Sequence, residues 1–420
     1  MPGASTAVAN DAGVAFDGSG GSTVPPGDPP PIDPPPGPTD VVGSVYGSDG
    51  NRANTATVML DGTVTPLDPW GRFVVRNVAP TYSLAVGAAS NGIRVFDGAT
   101  TRTPTVTIEV ATDFSPSFAS LHIAYPAPSQ PDAKFQYFVY DPGGLSRQDN
   151  LVDSEIEIDS PRTSATVSIY VMEYVQDDPN APPSQFLSWY EETNVVLTPG
   201  QTTNVNPVMS PVTSQKLVTA SPTTEPGMTV YEAYFFGGPK GATQFPTLFN
   251  TWAYLNVPQT WSFDVPQIGD LQWLIAYTAY ETGQPGSFGG GSSTAFEPVA
   301  VDGSSPSPAL PAAPVITSPA AGSSFGIGTT ITWSTEESIC TLSLSQQGTG
   351  NGARLVTTAR SVTLPDLSAL GFTLVSGATY QAYVGCGEPA LPAADADPVL
   401  GDWVGTVSSQ SNVNFSLVAQ

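Results

Sequence analysis

From Val41 onward the chain alternates polar and apolar residues in short runs, and turn-forming residues close each run. Thr55-Ala56-Thr57-Val58-Met59-Leu60, Arg72-Phe73-Val74-Val75 and Thr105-Val106-Thr107-Ile108-Glu109-Val110 are typical, and the rhythm persists to Asn412-Val413-Asn414-Phe415-Ser416-Leu417. Successive side chains of an extended strand point to opposite faces, so period two marks a half-buried strand. No stretch carries a helical stripe over three turns. Pro365-Asp366-Leu367-Ser368-Ala369-Leu370 offers one turn at most. Turn signals roughly every 8–12 residues predict sandwiches. The expected fold is all-β, a tandem of β-sandwich modules.

Residues 1–40 break the rhythm. Gly18-Ser19-Gly20-Gly21-Ser22 leads into Pro25-Pro26-Gly27-Asp28-Pro29-Pro30-Pro31 and Pro34-Pro35-Pro36. Glycine and serine make a flexible coil, whereas proline stiffens it into an extended polyproline rod. A disordered Pro/Gly/Ser-rich N-terminal stalk is expected. Proline and small polar residues interrupt the strands again near Thr112–Pro116, Ser210–Thr213 and Asp302–Pro314. These breaks divide the chain into 41–111, 112–210, an aromatic-rich 211–303, a linker at 304–311, and 312–420. Residues 112–303 also read as one larger unit. A Tyr-rich strand recurs three times, at Val167–Tyr174, Trp273–Tyr280 and Tyr380–Cys386. Each precedes a second strand, near Thr203–Val208, Thr294–Val299 and Asn412–Phe415, as if two closing strands paired.

Composition removes several function classes. Twelve Lys+Arg stand against 37 Asp+Glu, a net charge of −25. Such a chain repels phosphate backbones, so no nucleic-acid partner is expected. One histidine, His122, and two cysteines, Cys340 and Cys386, cannot build a His- or Cys-rich zinc site. No run of 18 apolar residues occurs, so no membrane span is expected in this chain. Met1–Thr6 shows neither a basic start nor an apolar stretch, so no export signal is visible. The low-charge, Gly/Pro/Ser/Thr-rich composition nevertheless favours an extracellular or cell-surface protein, a lipoprotein candidate whose export signal is not in this chain. An intracellular chain is the alternative.

Gly43-Ser44-Val45, the turn Asp49-Gly50-Asn51, the strand Ala56–Leu60, Leu67-Asp68-Pro69-Trp70-Gly71-Arg72-Phe73 and Asn77–Val86 follow one another in the first module. An Asp, then Gly-x-Phe, then a turn before Tyr-x-Leu-x-Val resembles the carboxypeptidase-regulatory-like module, a transthyretin-type seven-stranded sandwich. Gly71 would permit a tight hairpin, Phe73 would enter the core, and Tyr82 and Leu84 would share a face. Thr81 stands where that family often has glycine. The resemblance covers residues 41–111 and implies a non-catalytic accessory module. Residues 312–420 bear a weaker resemblance to a fibronectin type III or immunoglobulin-like module. It rests on Pro314–Pro319 with Gly322 and Phe325, on Thr330-Ile331-Thr332-Trp333-Ser334, and on Leu364–Tyr380. Trp333 would be the core anchor and Tyr380 a tyrosine-corner residue. Such modules often serve as spacers or adhesive units.

Cys340 and Cys386 lie 46 positions apart, on expected neighbouring strands. A disulfide there would stabilise the module by about 4 kcal/mol; two buried free thiols are the alternative, and export favours the bond. Aromatic residues crowd between Tyr231 and Tyr280. Exposed rings of Trp252, Trp261 and Trp273 would suit a glycan, whereas buried rings would be core. Asp149, Asp153, Glu155, Glu157 and Asp159 form one acidic group, with the last three on one strand face. Asp395, Asp397 and Asp402 near Glu388 form another. Without an Asp-x-Asp-x-Asp-Gly loop they read as solvated faces, with a calcium ion as the weaker reading and no other cofactor. No Gly-x-Ser-x-Gly elbow, phosphate-cradling loop or His-Glu-x-x-His stretch occurs. His122, in a strand-like run, reads as a surface or core residue. The expected function is a non-catalytic, exported, adhesin-like spacer or scaffold. It would hold four sandwiches in a row on the stalk, facing a cell-surface protein or polysaccharide. The alternatives are a glycan-binding accessory protein using residues 211–303 and, more remotely, a hydrolase in the middle region.

Overall fold

The computed structural model describes residues 29–47, 52–53, 55–87, 92–108, 117–141, 146–158, 163–177, 183–239, 247–252, 261–268, 271–281, 291–299, 307–347, 352–389 and 407–420. Among them the regular structure is β, apart from a single 3-10 turn at Ser368–Leu370 inside the one segment where the sequence offered a helical turn. The all-β expectation holds. Residues 1–28 of the expected stalk lie outside the described residues.

Seven strands lie between Val41 and Ile108. Arg72–Val75, Val41–Gly47 and Thr105–Ile108 form a three-stranded sheet in that order. Asp68 organises the turn into Arg72–Val75. Its Oδ1 accepts the N–H of Trp70 and of Arg72 at 2.9 Å, and its Oδ2 accepts Arg72 Nε at 2.7 Å. Gly71 completes that turn at φ +70°, a left-handed conformation that glycine adopts without a Cβ penalty. The strand then delivers Phe73 to the core, 1% exposed, with its ring against the bare Cα of Gly43. Tyr82 and Leu84 are buried in the same core.

Residues 117–211 build two further sheets. One runs Ser146–Asp149, Lys134–Tyr140, Ala165–Val175, Gln185–Leu197, Ser210–Pro211. The other runs Asp153–Ile158, Ser117–Ile123, Thr202–Val205. In Asp153–Ile158 every acidic residue faces out while Ser154, Ile156 and Ile158 face in. The pairing expected of the three Tyr-rich strands occurs twice. Leu271–Glu281 pairs with Ser292–Val299, and Thr379–Pro389 with Val407–Ala419. The first instance differs: Ala165–Val175 pairs with Lys134–Tyr140 and Gln185–Leu197, while Thr202–Val205 joins Ser117–Ile123 in parallel. A hairpin partner that begins ten positions on was available to Ala165–Val175, and closing a short loop is cheaper than closing a long one.

One sheet dominates the molecule. Its order is Thr247–Trp252, Met228–Pro239, Leu271–Glu281, Ser292–Val299, Val407–Ala419, Thr379–Pro389, Ile339–Gln346, Gly352–Thr357, Ile93–Ala99, Tyr82–Gly87, Thr57–Leu60, Thr63–Thr65. Segments remote in sequence thus meet edge to edge. Ser292–Val299 pairs antiparallel with Val407–Ala419, and Gly352–Thr357 pairs parallel with Ile93–Ala99. In space, residues 57–99 therefore neighbour residues 339–389, which follow them by some 250 positions in the chain.

The cores follow the same joints. Val58, Leu60, Leu84, Val86 and Phe96 face the three-stranded sheet, whereas Met59, Ala85, Ile93 and Val95 face a core built from residues 325–419. Thr57–Leu60 and Tyr82–Gly87 are therefore covered on both sides, with burial running nearly continuously rather than alternating. Each large aliphatic side chain so removed from water contributes about 1.5–3 kcal/mol. Ala165–Val175 repeats the pattern. Its Ile169 and Val171 face one core, while Tyr170, Met172 and Tyr174 join a second core with Val218, Val265, Trp273 and Tyr277.

Candidate functional site

A cleft of about 270 Å³ opens where residues 57–99 meet residues 355–365. Met59, Ala85, Val95 and Leu355 supply an apolar floor, and Asp61 and Asp97 supply two carboxylates. Asp61 sits at φ +47° in the turn between Thr57–Leu60 and Thr63–Thr65, and its Oδ1 accepts the Ser83 N–H at 2.8 Å. Burial, and then the charge of Asp61, push the Asp97 carboxyl above its ordinary range. The lining contains no imidazole, thiol or amine; its ionisable groups are the two carboxylates, with Ser83 and Thr363 beside them. Sequence reasoning missed this place. The consecutive apolar residues Val58-Met59-Leu60 and Leu84-Ala85-Val86 were its signal, since a run without alternation marks a strand buried on both faces.

A second construction holds the end of the proline-rich segment. Arg72 Nη1 donates to Pro30 O at 2.9 Å, and Arg76 Nη2 and Nη1 donate to Pro34 O at 2.6 Å and Pro35 O at 3.3 Å. Extended proline segments leave their carbonyls without partners of their own, and guanidinium groups meet them here. Asp40, 7% exposed, closes the arrangement. It accepts Arg76 Nη1 and Gly37 N–H at 2.7 Å on Oδ2, and Asn77 N–H at 2.9 Å on Oδ1. The Arg76 side chain and these two amides hold the Asp40 carboxyl down at about 2.

The sequence-predicted site residues fall in different settings. Cys340 and Cys386 are directly opposite on adjacent strands, with Cα atoms 4.1 Å apart, and form a disulfide. Trp273 is 1% exposed. Its Nε1 donates to Pro266 O at 2.9 Å, and its ring lies 6.0 Å from that of Phe186. It is a core residue and offers no face to a sugar. Trp252 ends one edge strand of the large sheet, and Trp261 opens Trp261–Pro266; their side chains lie outside the described residues. Asp153, Glu155 and Glu157 are exposed, while Asp159, Asp395, Asp397 and Asp402 lie outside the described residues. Among the described residues no three His, Cys, Asp or Glu side chains are grouped to hold a metal ion. His122 is a surface residue whose Nδ1 lies 2.5 Å from Asp153 Oδ1. The buried Glu173 accepts from Ser129 N–H and Ser188 Oγ, one on each oxygen, and ties the segment around Ser129 to its sheet.

Tyr380 is a tyrosine corner. Its hydroxyl accepts the Val375 N–H at 3.1 Å and donates to Thr373 O at 3.4 Å, beside the buried Phe325. Trp333 is buried in the same core.

No family model matches the chain, and no curated protein sequence matches it. Among solved structures, the Bacillus anthracis TIE protein aligns over 64% of this chain at 10% identity and a TM-score of 0.15. The alignment spans 49% of that protein, about half its length. The FN1–FN3 domains of chicken CNTN1 align over 75% of this chain and 91% of their own, at 9% identity and a TM-score of 0.15. Values this low establish no common arrangement of the whole chain. Among the described residues no helix is long and apolar enough to cross a membrane.

Proposed function

We propose that the protein is a non-catalytic, exported cell-surface scaffold, an adhesin-like spacer that carries its β segments as one rigid plate at the end of a proline-rich stalk. The observation that carries this reading is the continuous sheet uniting residues 57–99, 228–299 and 339–419. Such a plate resists bending better than modules joined only by linkers, because strand pairing and two-sided burial oppose rotation at each joint. Arg72, Arg76 and Asp40 fix where the stalk leaves it. The resemblances of residues 41–111 to carboxypeptidase-regulatory-like modules and of residues 312–420 to fibronectin type III or immunoglobulin-like modules support the same reading. The Cys340–Cys386 disulfide supports an oxidising location.

The test is performed on the producing cells. After rapid acid quenching, thiol alkylation should leave both cysteines unlabelled, and protease added to intact cells should digest the protein. Labelling of both cysteines together with protection from protease would remove the surface reading.

A further inference from the structure

The chain closes on itself. Residues 41–108 are followed in sequence by residues 117–299, yet their Ile93–Ala99 strand is paired to Gly352–Thr357, beyond all of them. Val41 opens the first strand, and Gln420 follows the strand Val407–Ala419, which pairs with Thr379–Pro389. Thr379–Pro389 pairs in turn with Ile339–Gln346, the neighbour of Gly352–Thr357. A direct mechanical route thus joins residue 41 to residue 420 without passing through residues 117–299.

We propose that the pairing of Ile93–Ala99 with Gly352–Thr357 is a force-bearing latch: tension between Val41 and Gln420 runs through residues 41–108 and 312–420 alone, and residues 117–299 join the stretched path only when the latch opens. Two routes between the same points share load according to stiffness, and the short paired route is the stiffer one. Between Ile93–Ala99 and Gln420 the latch is the shortest strand pairing. It joins five residues, against six between Gly352–Thr357 and Ile339–Gln346, eight between Ile339–Gln346 and Thr379–Pro389, and eleven between Thr379–Pro389 and Val407–Ala419. Like charges flank it, with Arg94 directly opposite Arg354 and Asp97 beside Asp61 in the cleft. Directly opposed like charges weaken a strand pair. Opening the latch adds reach and uncovers the apolar side chains shared across the joint, Met59, Ala85, Ile93 and Val95 on one side and Ile339 and Val356 on the other; their reburial closes it again when the pull is relieved. This follows from connectivity and stands apart from the question of export.

The full chain held in optical tweezers by handles at its two ends tests the idea. The first event should lengthen the tether by a few nanometres, the size of a folded module, and should reverse on relaxation. A first event of about 25 nm would overturn the proposal, because that is the length released when some 70 residues unfold. The double variant Arg94→Cys/Arg354→Cys supplies the second measurement. Directly opposite strand residues lie within disulfide reach, so the oxidised variant should cross-link spontaneously. It should also lose the small first event and keep the 259 residues between the two positions out of the stretch, whereas the single variant Arg94→Cys should keep that event and show it at a higher force, because the opposed like charge is gone. Failure to cross-link, or an unchanged first event after cross-linking, would refute the latch.

Discussion

An alanine at position 43 would place its Cβ 2.1 Å from Cζ of Phe73, a distance no packed structure tolerates. Gly43→Ala should therefore destabilise by about 1–3 kcal/mol, read as a fall in the urea midpoint. Adding Phe73→Leu should return part of that loss, since the two residues share one space. Tyr380 poses the opposite case, a side chain required for its oxygen. Tyr380→Phe leaves the Val375 N–H and the Thr373 carbonyl without the hydroxyl, and should cost about 1–2 kcal/mol by the same measurement. Asp40 makes a prediction about acid. Its folded carboxyl titrates near 2, below the ordinary value of 3.8, because Arg76, Asn77 and Gly37 all donate to it. A depressed carboxylate stabilises fully above its unfolded pKa, and that contribution fades as pH falls from about 4 through 2. The amide resonances of Gly37 and Asn77 should shift with a midpoint near pH 2. A midpoint near 4 would show that the anchoring of residues 30–40 does not form.

At the scale of strands, the disulfide and Trp273 each join elements that alternation alone cannot join. Cys340 and Cys386 cross-link two paired strands and close a loop of 46 residues, which should stabilise the folded segment by about 4 kcal/mol. Reduction should lower the denaturation midpoint of residues 312–420 by that amount, followed by hydrogen exchange. Trp273 stands between the sheet of Leu271–Glu281 and Phe186 of Gln185–Leu197. Trp273→Ala should cost about 3–5 kcal/mol, and exchange should rise on both sides of Ser210 because the ring belongs to a core shared across that point. The acidic strand Asp153–Ile158 was readable residue by residue, since a strand at a sheet edge with one wet face keeps strict alternation.

For the molecule as a whole, stability should be coupled between segments far apart in the chain. Leu355 is fully buried in a core that also takes Met59, Ala85, Ile93 and Val95. Leu355→Ala should cost about 2–5 kcal/mol. Hydrogen exchange should increase in residues 57–99 as well as 339–386; an increase confined to the latter would mean that the joint between them is absent in solution. The net charge of −25 acts at this scale too. Long-range repulsion of this size opposes the edge-to-edge contact that open sheets invite.

The amino-acid sequence by itself determined the strands, their inner and outer faces, and the anchors Phe73, Trp333 and Tyr380, because backbone geometry converts a two-residue period into two faces wherever one of them meets water. It also carried the Asp68–Gly71 turn, whose chemistry is complete within five residues. Only the tertiary structure decided which strand lies beside which, and hence whether Trp273 is core or surface. Runs such as Val58-Met59-Leu60 announce that both faces are covered, but the covering residues, Leu355 and Phe325 among them, come from some 270 to 300 positions away. No local pattern encodes such a partner: backbone hydrogen bonding is the same for every strand, so the choice falls to the fit of whole apolar surfaces.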